Sequence, residues 1–328
     1  MLRAGTPAKL ARVSGRFAPS PTGALHLGNL RTALAAWLAA RATGRDFIVR
    51  MEDLDLITAS PGIAAQQLSD LAALGIDWDG EVVFQSERFE RYRAAIAELA
   101  ADGRVYPCYC TRREIRAEIA AASAAPHGPV GGYPGTCRDL TASERAERTA
   151  AGRPAALRLR ADAAPITFVD RVAGRVVGVA DDVVLARADG VPAYNLAVVV
   201  DDAAQGVTQV VRGDDLLEST PRQILLQRLL GLPMPEYAHV PLVVDSAGQR
   251  LAKRAGAANT AVTLADLAAQ GVPVSAAGVA LARSLGIDAP DSATPAELVE
   301  RFAASGFAAI SRAPVPVHRI ATELLPNR

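Results

Sequence analysis

Residues 16–55 read RFAPSPTGALHLGNLRTALAAWLAARATGRDFIVRMEDLD. The stretch opens as a short strand, passes through a Pro/Gly-rich turn and continues as a helix. Leu27, Leu30, Leu34, Trp37, Leu38 and Arg41 fall at helical spacing with alanines between them, which predicts an amphipathic helix. Gly44 suits the left-handed residue that ends such a helix. Phe47-Ile48-Val49 is then a buried strand closing in the acidic run Glu52-Asp53-Leu54-Asp55. The unit is βαβ, the building block of an α/β, Rossmann-like, doubly wound parallel sheet, in which ligands sit beyond the carboxyl ends of the strands. His26, Gly28 and Asn29 occupy the strand-to-helix junction, where open N–H groups and the helix dipole attract phosphate.

HLGN, residues 26–29, resembles the HIGH signature of class I aminoacyl-tRNA synthetases. His-x-Gly turns also occur in other nucleotidyltransferases, so His26 alone does not decide. The flanking RFAPSPTG and RMEDLD resemble the glutamyl-specific branch, and they do decide.

A chain of 328 residues suits roughly two domains and buries a sizeable core. No apolar run is long enough to span a bilayer, and MLRAGTPAKLARVSG has no long apolar core before the first strand, so it does not read as a secretory signal. A cytoplasmic protein without membrane contact is expected. Formal net charge is zero, so binding of RNA requires a local basic face. The 35 basic residues include only two lysines, Lys9 and Lys253.

Ser60-Pro61 is an N-cap followed by proline at N1, with the helix running to Gly75. Asp77-Trp78-Asp79-Gly80 is a turn, and a second helix spans about Glu87 to Ala101. Arg88, Arg91 and Arg93 on it are read as a solvated face. The three cysteines then arrive together: Cys108-Tyr109-Cys110, and Cys137 closing Tyr133-Pro134-Gly135-Thr136-Cys137. A Cys108–Cys110 disulfide would close a very small strained ring, and three thiolates in one cluster suit zinc, which wants a fourth ligand. His127 is the generic candidate. The family resemblance implies instead C-x-C…Y-x₃-C, with the Tyr133 phenol as fourth ligand of one structural Zn²⁺. Such a site staples an insertion and takes no part in the chemistry.

Residues 156–160, 166–169 and 176–179 read as strands, with turns at Gly174 and Asp181-Asp182 and a hairpin at Asp189-Gly190. Family resemblance makes this segment an α+β insertion that packs on the acceptor end of tRNA. The nucleotide fold resumes at Pro192, and Val198 to Val200 is read as a doubly covered central strand. Val207 to Val211 is a further strand delivering Arg212-Gly213-Asp214-Asp215, followed by a helix with Thr220 as cap and Pro221 at N1. YNLAVVVDD…GVTQVVRGDDL resembles the glutamyl branch, which makes Tyr194 and Arg212 substrate contacts. After the strand Leu242-Val243-Val244, Arg250-Leu251-Ala252-Lys253-Arg254 stands where the KMSKS motif belongs, with alanine in place of the usual serine. In a chain otherwise nearly without lysine, Lys253 suggests a site wanting a compact, mobile point charge. Helices follow at Leu264 to Ala269, Ser275 to Leu285 and Pro295 to Ala304, and Ala313 onward is read as irregular.

The expected organisation is a catalytic domain in two halves, 14–107 and 192–256, split by a zinc-containing insertion at 108–191. A short helical region, 257–328, follows in place of a full anticodon-binding domain. This pattern, covering residues 14 to 256, resembles the glutamyl-Q tRNA(Asp) synthetases, truncated glutamyl-type members of the class. The resemblance implies that L-glutamate is activated with ATP and Mg²⁺ without tRNA, then transferred to queuosine at the wobble position of tRNA(Asp), by a monomer. It assigns glutamate to Arg16, Phe17, Ala18, Pro19, Ser20, Glu52, Tyr194 and Arg212. ATP falls to His26, Gly28, Asn29 and Lys253, of which His26 and Lys253 are catalytic. The residues leave three alternatives open: a shortened enzyme charging tRNA(Glu), a ligase glutamylating a small amine, and a non-catalytic tRNA-binding paralogue.

Overall fold

The computed structural model describes residues 13–123, 133–249, 251 and 262–324. β1 (Ser14–Phe17), α1 (Leu27–Ala42) and β2 (Asp46–Met51) form the expected unit, with β1 and β2 parallel and Ser14 opposite Asp46. Gly44 takes φ +65° just past the helix, as its place in the sequence requires. The amphipathic reading of α1 fails. Eleven of its sixteen residues are buried, because alanines on the supposed outer face leave room for close packing on both sides.

Ser60 caps α2 (Pro61–Ala73) by accepting the Ile63 N–H at 3.5 Å, and Gly75 ends it with φ +75°. β3 (Val83–Phe84) lies parallel to β2. A 3₁₀ turn at Gln85–Arg88 then leads into α3 (Phe89–Ala101). Arg88 is not on a solvated face: its Nε lies 2.6 Å from the fully buried Asp201 Oδ1. Arg91 and Arg93 are exposed as expected.

The 108–191 stretch divides between two sheets. β4 (Val105–Cys108), α4 (Arg112–Ser123), α5 (Ala142–Ala150), β5 (Ala156–Leu159), β6 (Pro165–Asp170), β7 (Gly174–Val179) and β8 (Val184–Ala186) follow in order. β4, β5 and β8 make a small antiparallel sheet, whereas the β6–β7 hairpin joins the large one. Asp181-Asp182 is therefore a crossing between sheets rather than a hairpin turn. Asp182 is buried there, accepting the Tyr106 hydroxyl at 2.6 Å and the Ala161 N–H at 2.8 Å.

The largest correction falls on residues 194–204. They form α6 (Tyr194–Ala204), not a central strand. A short valine run has the same apolar profile in a buried helix as in a covered strand, so periodicity does not separate them. Here Leu196 to Val199 pack between neighbouring elements, and the helical turn carries Asp201 and Asp202 inward to buried arginines. β9 (Val207–Gly213), α7 (Thr220–Leu229), β10 (Glu236–Val240) and β11 (Val243–Val244) follow. β10 was not foreseen. Ser219, one residue earlier than expected, holds the cap position of α7, and Thr220 lies inside it.

The order of the large sheet is β3-β2-β1-β9-β10-β6-β7, with all described pairings parallel except β6–β7. α8 (Leu264–Ala269), α9 (Val274–Ser284) and α10 (Pro295–Ser305) match the expected helices. The last segment is regular, not irregular: β12 (Val315–Pro316) pairs with β11, and α11 (Val317–Leu324) packs on α9. α1 is sandwiched between the sheet and α9 and α10, so the C-terminal helices share one hydrophobic core with the βαβ unit. Among the described residues no helix is long and apolar enough to cross a membrane.

Candidate active site

A cleft of about 350 Å³ opens beyond the carboxyl ends of β1, β2 and β9. β1 and the loop after it contribute Arg16, Phe17, Ala18, Pro19 and Ser20. The start of α1 brings His26, Gly28 and Asn29, while Glu52, Tyr194 and Arg212 complete the wall. All eleven candidates expected to meet glutamate or nucleotide, apart from Lys253, line this one space. Lys253, with the rest of its motif except Leu251, lies outside the described residues.

His26 is the N-cap of α1. Its Nδ1 accepts the N–H groups of Gly28 and Asn29 at 3.1 and 3.2 Å, while Asn29 Oδ1 accepts the His26 N–H at 3.3 Å. This corrects the expectation that the N–H groups of Gly28 and Asn29 are open to phosphate; the imidazole already takes them. Accepting two donors requires Nδ1 to be unprotonated, so the ring proton sits on Nε2. The close approach also explains Gly28, where a Cβ would stand 3.0 Å from the imidazole.

Two arginines enter the cleft from behind. Arg16 is buried, donates from Nη1 to the Val211 carbonyl at 3.2 Å, and pairs through Nε with Asp202 at 3.5 Å. Arg212 is held on three sides: Nε donates to His239 Nε2 at 3.0 Å, Nη1 to Gln223 Oε1 at 2.8 Å and Nη2 to Thr220 Oγ1 at 2.9 Å. Its guanidinium also lies 5.5 Å from the Tyr237 ring centre.

Glu52 faces these cations. Burial pushes its carboxyl up to about 7, with Asp202 adding to the rise and Arg50, Arg16 and Arg212 opposing it. Burial likewise raises the Tyr194 phenol, with the Glu52 charge in support. Sequence reasoning missed the layer behind the wall: Arg50, Asp202, His239, Asp170, Thr220 and Gln223. Arg50 and Asp202 stand in the quoted motifs, but reading 198–200 as a strand aimed the Asp202 carboxylate wrongly.

Outside the cleft, Cys108, Cys110 and Cys137 bring their sulfurs within 4.8 Å of one another. Cys110 and Cys137 are 3.4 Å apart, and Tyr133 Oη lies 3.3 Å from Cys108 and 3.7 Å from Cys110. Tetrahedral zinc with Zn–S near 2.3 Å sets sulfurs about 3.8 Å apart, so three thiolates and a phenol at these spacings fit that ion. The Arg158 guanidinium stacks 3.8 Å over the Tyr133 ring and fixes its direction. His127 lies outside the described residues.

A parallel sheet split by an insertion, with a histidine-capped helix opening onto a cleft at its carboxyl edge, defines a class I-type synthetase catalytic fold. The chain belongs to the family described as tRNA synthetases class I (E and Q), catalytic domain, which matches residues 12–304. It is similar to the Glutamyl-Q tRNA(Asp) synthetase of Nocardia farcinica, with 65% identity over 253 residues, 77% of this chain and 78% of that protein. The protein of the same name from Cutibacterium acnes is 52% identical over 302 residues, 92% of this chain and 83% of that one. Among solved structures, a glutamate tRNA ligase from Elizabethkingia meningosepticum in complex with its amino acid superposes with a TM-score of 0.77 at 25% identity, covering 95% of this chain and 68% of that one.

Proposed function

We propose that the protein activates L-glutamate with ATP, independently of tRNA, and transfers it to queuosine at the wobble position of tRNA(Asp). One observation carries the activation step. Arg16, Arg212 and Glu52 converge on a single cleft beside His26, and two cations with one anion complement the two carboxylates and one ammonium of glutamate. The relatives' shared name supports the choice of acceptor.

In this reading Glu52 takes the ammonium, Arg16 and Arg212 take the carboxylates, and Tyr194 supplies a hydroxyl. Phe17, Ala18, Pro19 and Ser20 shape the wall. The α-carboxylate attacks the α-phosphorus of ATP in line, and pyrophosphate leaves. Negative charge builds on phosphate oxygens, so positioned N–H groups and cations do most of the work. His26 donates from Nε2, and Lys253 neutralises the departing pyrophosphate. Mg²⁺ accompanies ATP as its counterion. A hydroxyl of the acceptor then attacks the adenylate carbonyl and AMP leaves. Cys108, Cys110, Cys137 and Tyr133 hold one Zn²⁺ that fixes the inserted small sheet. The protein acts as a cytoplasmic monomer.

The test is transfer of labelled glutamate to purified tRNA(Asp) with and without queuosine, with tRNA(Glu) alongside. Labelling of queuosine-bearing tRNA(Asp) alone is the expected result. Labelling of tRNA(Glu) makes the protein a charging enzyme, and activation without either tRNA being labelled points to a small amine acceptor.

A further inference from the structure

Arg212 is oriented by residues that never meet the cleft. His239 on β10 and Asp170 at the end of β6 are both buried, and neither lines the cavity. Asp170 Oδ2 lies 2.6 Å from His239 Nδ1. Its other oxygen accepts three backbone N–H groups, from Val172 at 2.9 Å, Ala173 at 2.8 Å and His239 at 3.2 Å. A carboxylate in that position accepts only, so the imidazole proton must sit on Nδ1. Nε2 is then left with a lone pair, which receives the Arg212 Nε–H. Thr220 Oγ1 also stands 3.2 Å from this His239 nitrogen; its oxygen accepts from Arg212, and its one proton has the Leu216 carbonyl at 3.1 Å as a second acceptor.

We infer that Asp170 and His239 are positioning residues for Arg212. Asp170 selects the imidazole tautomer, His239 presents an acceptor to Nε, and Thr220 and Gln223 take one N–H from each terminal nitrogen. Three of the five guanidinium N–H bonds are thereby committed, and one on each terminal nitrogen is left for a ligand carboxylate. Burial lowers the His239 pKa and keeps the ring neutral, which preserves the acceptor beside the arginine. Asp170 belongs to the hairpin of the 108–191 stretch, and Tyr237, two residues before His239, pairs with it across β10 and β6. The grip on carboxylate therefore depends on that hairpin being docked.

The inference rests on the glutamate-activation reading, and one set of variants separates the two. Asp170→Asn keeps an oxygen for the three backbone donors but offers N–H to His239 Nδ1, forcing the proton onto Nε2 against Arg212. His239→Leu removes the acceptor. His239→Gln restores an amide oxygen at the same reach. In glutamate-dependent ATP–pyrophosphate exchange with the full chain, Asp170→Asn and His239→Leu should raise the KM for glutamate about 10- to 100-fold, the range for a charged hydrogen bond. The KM for ATP should stay unchanged, and His239→Gln should recover most of the loss. Nitrogen-15 imidazole shifts should report Nδ1–H in the wild type and Nε2–H in Asp170→Asn. Should Asp170→Asn not fold, the leucine and glutamine pair at 239 decides alone. An unchanged glutamate KM in His239→Leu, or KM values for glutamate and ATP rising together, overturns the positioning role. A wild-type protein with no glutamate-dependent exchange overturns the activity reading and this inference with it.

Discussion

Arg50 Nη2 lies 2.8 Å from Asp202 Oδ1 in a buried ion pair directly behind the cleft, and the same nitrogen is 3.7 Å from Glu52 Oε1. Burial opposes the charge on Arg50, but Asp202, Glu52 and Asp201 more than offset it and hold its pKa above the usual value. Burial holds the Glu52 carboxyl high despite the opposing charge of Arg50, and Asp202 adds to the rise.

The first consequence is a pH dependence of glutamate binding. Glu52 must be ionised to pair with an ammonium, and below about 7 it carries a proton. Affinity measured by calorimetry should therefore fall as pH drops below 7, approaching about tenfold per pH unit. Glu52→Gln should bind weakly and lose most of this slope. Its stability relative to wild type should grow as pH rises from 4.5 through about 7, because across that window folded wild type holds a proton on Glu52 that unfolding releases.

Asp202→Asn should act on both partners. Removing one member of a buried ion pair costs about 3–5 kcal/mol, read as a lower midpoint in chemical denaturation. Asp202 also raises the Glu52 pKa, so the variant that remains folded should bind glutamate with its pH midpoint shifted downward.

His26 combines capping with its assigned catalytic role, and two substitutions separate them. His26→Ala should lose about 1 kcal/mol of stability together with adenylate formation. Asparagine is a good N-cap, so His26→Asn should recover the stability and leave adenylate formation impaired, as measured by pyrophosphate exchange.

Metal analysis of untagged protein should find about one zinc per chain. Cys108→Ser and Cys137→Ser should lose the metal and lower the melting temperature. Tyr133→Phe should bind it more weakly.

Lys253→Ala should slow adenylate formation by about 10²-fold or more, the usual scale for losing one group that stabilises transition-state charge. Glutamate binding should be nearly unchanged. An unaltered rate removes Lys253 from the chemistry.

The sequence by itself determined the βαβ unit and, with the family resemblance, the wall of the cleft, each encoded over a few neighbouring residues; the histidine cap that closes the N–H groups at the start of α1 was not among them. The clustering of Cys108, Cys110 and Cys137 was likewise legible from their spacing, while Tyr133 beside them was implied only by the family resemblance. Tertiary structure alone decided the rest. Val198 to Val200 became helix because their burial profile fits either state until neighbours choose. Arg88 left the solvent because Asp201, 113 residues away, lies beneath it. His239 joined the site through Arg212, 27 residues before it, and through Asp170, 69 residues distant. Local propensity acts along the chain, whereas charge states and hydrogen-bond partners depend on what packing brings close and what it hides from water.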